Sequence, residues 1–340
     1  MVFLLRCMWV SARIVLSFAW LAAGLWGGLA WYYNGSGPEA LRLAAASLFT
    51  LLALAGVAAP SSWRWPIRSL FVTLFLALLF WYHSLSPSNE REWQKDVARQ
   101  AWAERSDDII TIHNVRNSRY RSESDYDVVY EDREYRLSSL EGVDLAAVYW
   151  MGPHIAHVMV SFAFAEGGHL AFSIETRKEP GESYSTLAGF FRQYELIYIA
   201  GDESDLFGVR TNHRHNPPES VYLYRLQAPL EAGRRFFLAY LERINEVHHK
   251  AEWYNSLTSN CTTNMWLHSR VNPGHLPFTW KILASGHVPK LLYETGRLDQ
   301  TLPFPILQEG ALINEKAKAA GEGADFSRLI RLELPATVNQ

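Results

Sequence analysis

The sequence predicts an α+β architecture: a three-helix membrane anchor, then a soluble domain whose antiparallel sheet supports a helix carrying a cysteine. Three observations lead there. Three uncharged apolar runs crowd into the first 86 residues, a glycine-closed hairpin of alternating side chains lies near the middle, and Cys261 stands between an Asn/Ser/Thr loop and a segment of helical spacing.

The apolar runs, about 14–33, 43–60 and 69–86, each have the length a helix needs to cross roughly 30 Å of hydrocarbon. The first is too long and Trp-rich for a signal peptide, lacks a small-residue cleavage site and is followed at once by two more. Trp20, Trp26, Trp31, Trp63, Trp65 and Trp81 lie in or beside the runs, several at interface positions. Of 32 basic and 35 acidic residues, the first 86 hold only Arg6, Arg13, Arg42, Arg64, Arg68 and Glu39, so the remainder has a net charge of about −7. That balance excludes the basic surface needed to neutralise nucleic-acid phosphates. A cytoplasmic N-terminus puts Arg6, Arg13, Arg64 and Arg68 on one side, which sends residues 87–340 outside the cytoplasm. In a bacterium this means a multi-pass inner-membrane protein with a periplasmic domain. Cys7 lies at or before the first span and Cys261 far beyond the third, so no disulfide between them is expected, and an unpaired cysteine in an oxidising compartment flags a reactive thiol.

After Ser86-Pro87-Ser88-Asn89, the stretch Glu90–Arg105 has Trp93, Val97 and Ala101 on one face, and residues 87–107 read as a juxtamembrane helix. The remainder, 108–300, opens with a strand at 108–113 and a polar piece at 114–126 that suits a solvated loop or edge strand. Val143–Trp150 is an apolar run ending in the turn Met151-Gly152-Pro153. His157–Phe164 and His169–Arg177, joined through Glu166-Gly167-Gly168, form the hairpin. Tyr184–Gln193 and Asp202–Arg210 read as helical pieces, each followed by a strand (Glu195–Ala200 and Val221–Leu226). Leu230–Lys250 is a helix, with Phe236, Phe237, Tyr240, Leu241, Ile244 and Val247 at core spacing. Residues 301–340 read as a tail, unpatterned from about Glu315.

A thiol at a helix head faces unpaired backbone N–H groups and the positive end of the dipole, which favour thiolate. Asn260 is the expected N-cap. The Asn/Thr-rich loop is expected to expose the thiol as well as activate it. A buried structural cysteine is the alternative. A nucleophile needs a base, and the base an orienting partner. His157 opens an apolar strand, unlike the histidines in turns and on helix surfaces, and Glu175 lies near the end of the paired strand, so the two can lie side by side. Arg177 competes for the Glu175 charge. No metal set is evident, because no His pair at helical spacing has a third ligand in step. No G-x-S-x-G elbow is present, and nothing calls for a cofactor.

The ordered runs Asn114–Glu123, Tyr149–Pro153 with Ile155-Ala156-His157, Ser173–Glu179, Phe191–Tyr198, Arg210-Thr211-Asn212, and Tyr254-Asn255 with Asn260–Asn264 together resemble the Lnb N-terminal periplasmic domain family over roughly residues 108–300. The resemblance implies a permuted papain-type fold, similar to lecithin retinol acyltransferase, with His157, Glu175 and Cys261 as base, orienter and nucleophile. Arg119, Tyr120, Tyr254, Asn260 and Thr262 fall in its motifs as binding or supporting residues. It implies transfer of a fatty acyl chain from a glycerophospholipid through a Cys thioester to an amine, the N-terminus of a lipoprotein among the acceptors. The three spans are a departure from the family pattern. A cysteine amidase or peptidase acting on envelope peptide or peptidoglycan, and a non-catalytic folding or binding module, stand as alternatives.

Overall fold

The computed structural model describes residues 2–335, with side chains from Arg6 onward. The chain divides into two compact units, residues 1–87 with 185–193, and residues 88–184 with 194 onward.

The first unit holds α1 (Val2–Asn34), α2 (Glu39–Ala58) and α3 (Ser61–Ser84), all long and apolar enough to cross a membrane. Each apolar run is thus largely helical; all three helices begin earlier than the runs, and α2 and α3 end at Ala58 and Ser84, just short of the expected ends. The Arg64 and Arg68 stretch, outside the expected third span, is the first part of α3. Pro60 forces Ala59 into an extended conformation, which ends α2. Arg64 then donates to the Ala59 carbonyl and Arg68 to that of Gly56, so cations satisfy the open end of α2. Gly24 and Gly28 let α1 and α2 close together: a Cβ at Gly24 would lie 2.3 Å from the Ala53 Cβ, and one at Gly28 2.5 Å from the Thr50 hydroxyl. The 185–193 segment belongs to this unit. It contains one tight turn at Ala188–Phe190 in place of the expected helix, because Phe191 stacks on Tyr33, its carbonyl accepts from Asn34, and Arg192 donates to the Tyr82 carbonyl.

The second unit is built on β1 (Trp102–Ser106), β2 (Ile109–Arg116), the small hairpin β3 (Arg119–Tyr120) and β4 (Tyr126–Asp127), β5 (Tyr130–Arg136), β6 (Leu140–Tyr149), β7 (His157–Phe164), β8 (Gly168–Arg177), β9 (Glu195–Gly201), α4 (Glu203–Leu206), β10 (Ser220–Arg225), α5 (Leu230–His249), α6 (Cys261–Ser269), α7 (Trp280–Leu283), α8 (Val288–Glu294), α9 (Phe304–Gly310), α10 (Asn314–Ala320) and α11 (Phe326–Leu329). The main sheet runs β1-β2-β9-β8-β7-β6-β10, with β5 also on β2. All pairs are antiparallel except β2 with β9. This is the expected α+β arrangement, with Cys261 at the head of a helix.

The alternation along the strands gives the sheet two apolar faces. One carries Ala146, Met159, Ala171, Ile197 and Val221 and is covered by Leu206, Phe207 and the C-terminal helices. The other stacks Phe162, Phe172 and Tyr198 against Phe237 and Tyr240 of α5, as the helical spacing of those aromatics requires.

Two expectations fail. The stretch 90–105 is no helix: it holds one tight turn, Lys95–Val97, and then enters β1. The Val97 and Ala98 carbonyls are taken by the buried Arg177 guanidinium, which also lies 4.3 Å over Trp93, so tertiary bonds replace the helical ladder. The tail is patterned over its described part, since Ile313, Ala317, Phe326, Ile330 and Leu334 all enter the core. Residues 336–340 of that tail lie outside the described residues.

Arg331 pins this tail, bonding Asp144 at 2.7 Å and Glu203 at 2.6 Å, both buried. Arg331→Ala leaves two buried carboxylates short of a partner. It is expected to cost about 3–5 kcal/mol, read as a lowered denaturation midpoint of the purified protein.

Candidate active site

The β7–β8 hairpin sets the base. Its register pairs Val160 with Phe172 and Phe162 with Leu170, and carried toward the strand end it puts His157 opposite Glu175. Their side chains meet at 3.2 Å, from Nε2 to Oε1. Ser173, two residues before Glu175 and so on the same face, bridges them: its hydroxyl donates to Glu175 at 2.7 Å and lies 2.7 Å from His157 Nε2. A hydroxyl that donates to the carboxylate must accept from the ring, which fixes a proton on Nε2 and leaves Nδ1 for the thiol.

The nucleophile comes from α6. Asn260 caps it, its side-chain oxygen accepting from the Thr262 and Thr263 N–H groups while the Thr263 hydroxyl accepts from the Asn260 N–H. The Asn260 amide nitrogen is held by the Ser256 carbonyl, so this side chain is committed to the backbone. Among the described residues no group accepts from the Cys261 N–H, which leaves it free as an oxyanion donor. The loop before it is an Asn255 turn, whose side chain accepts from the Leu257 and Thr258 N–H groups. The expectation that the polar residues expose the thiol is not met: Asn260, Cys261, Thr262, Thr263 and Asn264 are all buried.

Cys261 and His157 are electrostatically coupled. Burial pushes the thiol up, but the His157 ring, the Val158 N–H and the Thr262 hydroxyl, 3.6 Å from Sγ, outweigh it and hold the thiol below its ordinary value. Burial likewise pulls His157 down, and the Glu175 carboxylate outweighs it, raising the imidazole to about 9. For Glu175 the burial penalty is overcome by His157, Arg210 and Ser173, and its carboxyl stays well below the usual range. Both shifts favour a thiolate beside an imidazolium.

Glu175 gains a partner that the sequence reading did not identify. Arg210, from the wide helical turn Val209–His213, bonds it at 2.9 Å and Glu219 at 3.1 Å, and Glu219 in turn bonds Arg214 at 3.0 Å. Ser173 was also passed over. Both lay in runs already singled out, Ser173–Glu179 and Arg210-Thr211-Asn212, and Ser173 alternates in step with Glu175. Arg177 is not the competitor expected of it, since its bonds go to the 89–98 segment. Tyr254 is buried beside the thiol, coupled to Cys261 and hydrogen-bonded to Tyr184; burial keeps its phenol far above the ordinary range, so it remains an O–H donor. Arg119 is exposed. Tyr120 belongs to a separate buried cluster, donating to Asp205, which also pairs with Arg116; none of these bonds reaches Cys261. Among the described residues no three His, Cys, Asp or Glu side chains converge as a metal site.

Because the His157 pKa is raised, the pair's contribution to stability is present below the ordinary imidazole value and fades as pH rises through about 9. Alkylation of Cys261 by iodoacetamide, followed by intact mass, is expected to be fast and level around neutral pH. Glu175→Gln removes the support for imidazolium, lets the thiol rise, and should slow neutral-pH alkylation about tenfold or more. A wild-type profile that climbs like a free thiol would contradict the ion pair.

Comparison with curated proteins and with solved structures gave no match. The family model described as the Lnb N-terminal periplasmic domain matches residues 126–286, a span that includes the hairpin, Arg210 and α6. Over that span the chain is similar to the Lnb N-terminal periplasmic domain, the family its ordered motifs resemble.

Proposed function

We propose that this protein is a membrane-anchored cysteine acyltransferase that moves a fatty acyl chain from a glycerophospholipid to an amine. The observation that carries the proposal is the buried Cys261 at the head of α6, coupled to His157 and through it to Glu175, in a chain with three helices long and apolar enough to cross a membrane. A nucleophile of this kind attacks carbonyls without further activation, and the anchor keeps it where ester donors are concentrated. Tethering in this way favours lipid ester over soluble peptide, which sets transfer ahead of the amidase reading.

Cys261 Sγ attacks the ester carbonyl, and the developing oxyanion takes the Cys261 N–H, with Tyr254 as a second O–H donor within electrostatic range of the thiol. As the C–O bond breaks, His157 gives its proton to the departing glycerol oxygen, leaving an acyl thioester and a neutral imidazole. The acceptor amine attacks the thioester, His157 takes the amine's proton, and the thiolate leaves. Glu175, steadied by Ser173 and Arg210, holds the ring in one orientation through both halves. The acceptor in this proposal is the N-terminal amine of a lipoprotein, and the compartment is the periplasmic face of the bacterial inner membrane.

Incubation of the solubilised full chain with phospholipid bearing a labelled acyl chain is expected to give a labelled thioester on Cys261 by intact mass. Cys261→Ala abolishes it, and His157→Ala slows its formation at least about a hundredfold. Cleavage of an envelope peptide with no adduct would overturn the proposal in favour of the amidase.

A further inference from the structure

Behind the nucleophile helix lies a pocket of about 400 Å³, between the aromatic face of the sheet, α5, α6 and the 272–297 segment. Its wall is mainly hydrocarbon, including Leu145, Val160, Phe236, Met265, Leu276 and Ile282. Native interiors are closely packed, so an apolar pocket of this size calls for an occupant. It falls in the ordinary size range of ligand pockets.

Several of the polar groups on its wall are already engaged. Asn272 donates to the Ala232 carbonyl and accepts from Arg235, and Arg297 donates to the Gly274 and Thr295 carbonyls. A polar ligand would find few open partners there, whereas a hydrocarbon chain needs none. The location is equally selective. Met265 follows Cys261 by one turn of α6, a rise of about 6 Å, and Val160 is three residues beyond His157 on β7, about 10 Å. The pocket therefore abuts both elements that carry the reacting side chains.

We infer that this pocket holds the fatty chain of the acyl donor and sets the preferred chain length, an inference that rests on the acyl-transfer reading of Cys261. A chain whose carbonyl sits at Sγ runs back along α6 past Met265 and is buried against Val160 and Phe236, while the polar headgroup stays outside. The membrane-spanning helices keep such chains at hand.

The test uses the full chain in digitonin, which has no alkyl chain to occupy the pocket, with dioctanoyl- and dipalmitoyl-phosphatidylethanolamine as donors and the rate of thioester formation on Cys261 as readout. Val160→Phe fills the pocket from the sheet and Ala232→Phe from α5. In each, the palmitoyl-to-octanoyl rate ratio is expected to fall about tenfold or more, the equivalent of losing room for a few methylenes, while the octanoyl rate stays within about twofold of wild type. The retained octanoyl rate serves as the folding control. An unchanged ratio, or equal loss of both donors in both variants, overturns the pocket assignment while leaving wild-type transfer intact. Absence of any thioester in the wild type overturns the acyl-transfer reading, and the inference with it.

Discussion

The site depends on one half-buried carboxylate. Glu175 sits where the hairpin register puts it opposite His157, and it can stay ionised there only because Ser173, His157 and Arg210 all turn toward it. An unpaired carboxylate in such a position costs several kcal/mol; here the charges alternate from Arg214 through Glu219, Arg210 and Glu175 to His157 and Cys261, and the group as a whole is neutral. The turn at 209–213 thereby becomes part of the charge network around His157 and Cys261. A change at Arg210 would reach Cys261 through Glu175 and His157, because the guanidinium both shares the Glu175 carboxylate and disfavours the imidazolium.

Cys261 owes its setting to a backbone problem. A helix head leaves four N–H groups unpaired, and Asn260 with Thr263 answers three of them by a reciprocal cap. The Cys261 N–H is left over, next to the sulfur it would serve. The Asn and Thr residues around the thiol are thus buried capping groups, and their chemistry is that of helix initiation. The same cap fixes the direction of the Cα–Cβ bond, so the thiol meets the His157 ring from a rigid element.

What could be read from sequence was whatever local periodicity encodes. The paired glycines and strict alternation of 157–177 gave the hairpin and its register, because one slipped residue would turn the core face to solvent. The aromatic spacing of 236–247 gave α5, and the polar loop before Cys261 gave its cap. Partnerships made across long sequence separations left no such trace. Arg210 meets Glu175 across 35 residues, and nothing in either neighbourhood announces it. Arg177 takes the carbonyls of Val97 and Ala98 and so undoes a helix that Trp93, Val97 and Ala101 were spaced to form. In the tail, Gly321 and Gly323 interrupt the spacing of Ile313, Ala317, Phe326 and Ile330, which hides a buried pattern inside short helices.

An acyl chain seated behind α6 would change the character of the second half-reaction. After the glycerol product leaves, the chain is held twice, by the thioester and by hydrocarbon burial worth about 0.8 kcal/mol for each methylene. Such an intermediate does not drift from the site, and its fate is set by which nucleophile next reaches the carbonyl. His157 is then neutral, having given its proton away, and stands within reach of whatever approaches. A thioester yields to amines more readily than to water, so an amine brought close by the same membrane tether has the advantage. The apolar pocket, the exhausted imidazole and the anchor thus favour transfer over hydrolysis without any side chain dedicated to excluding water.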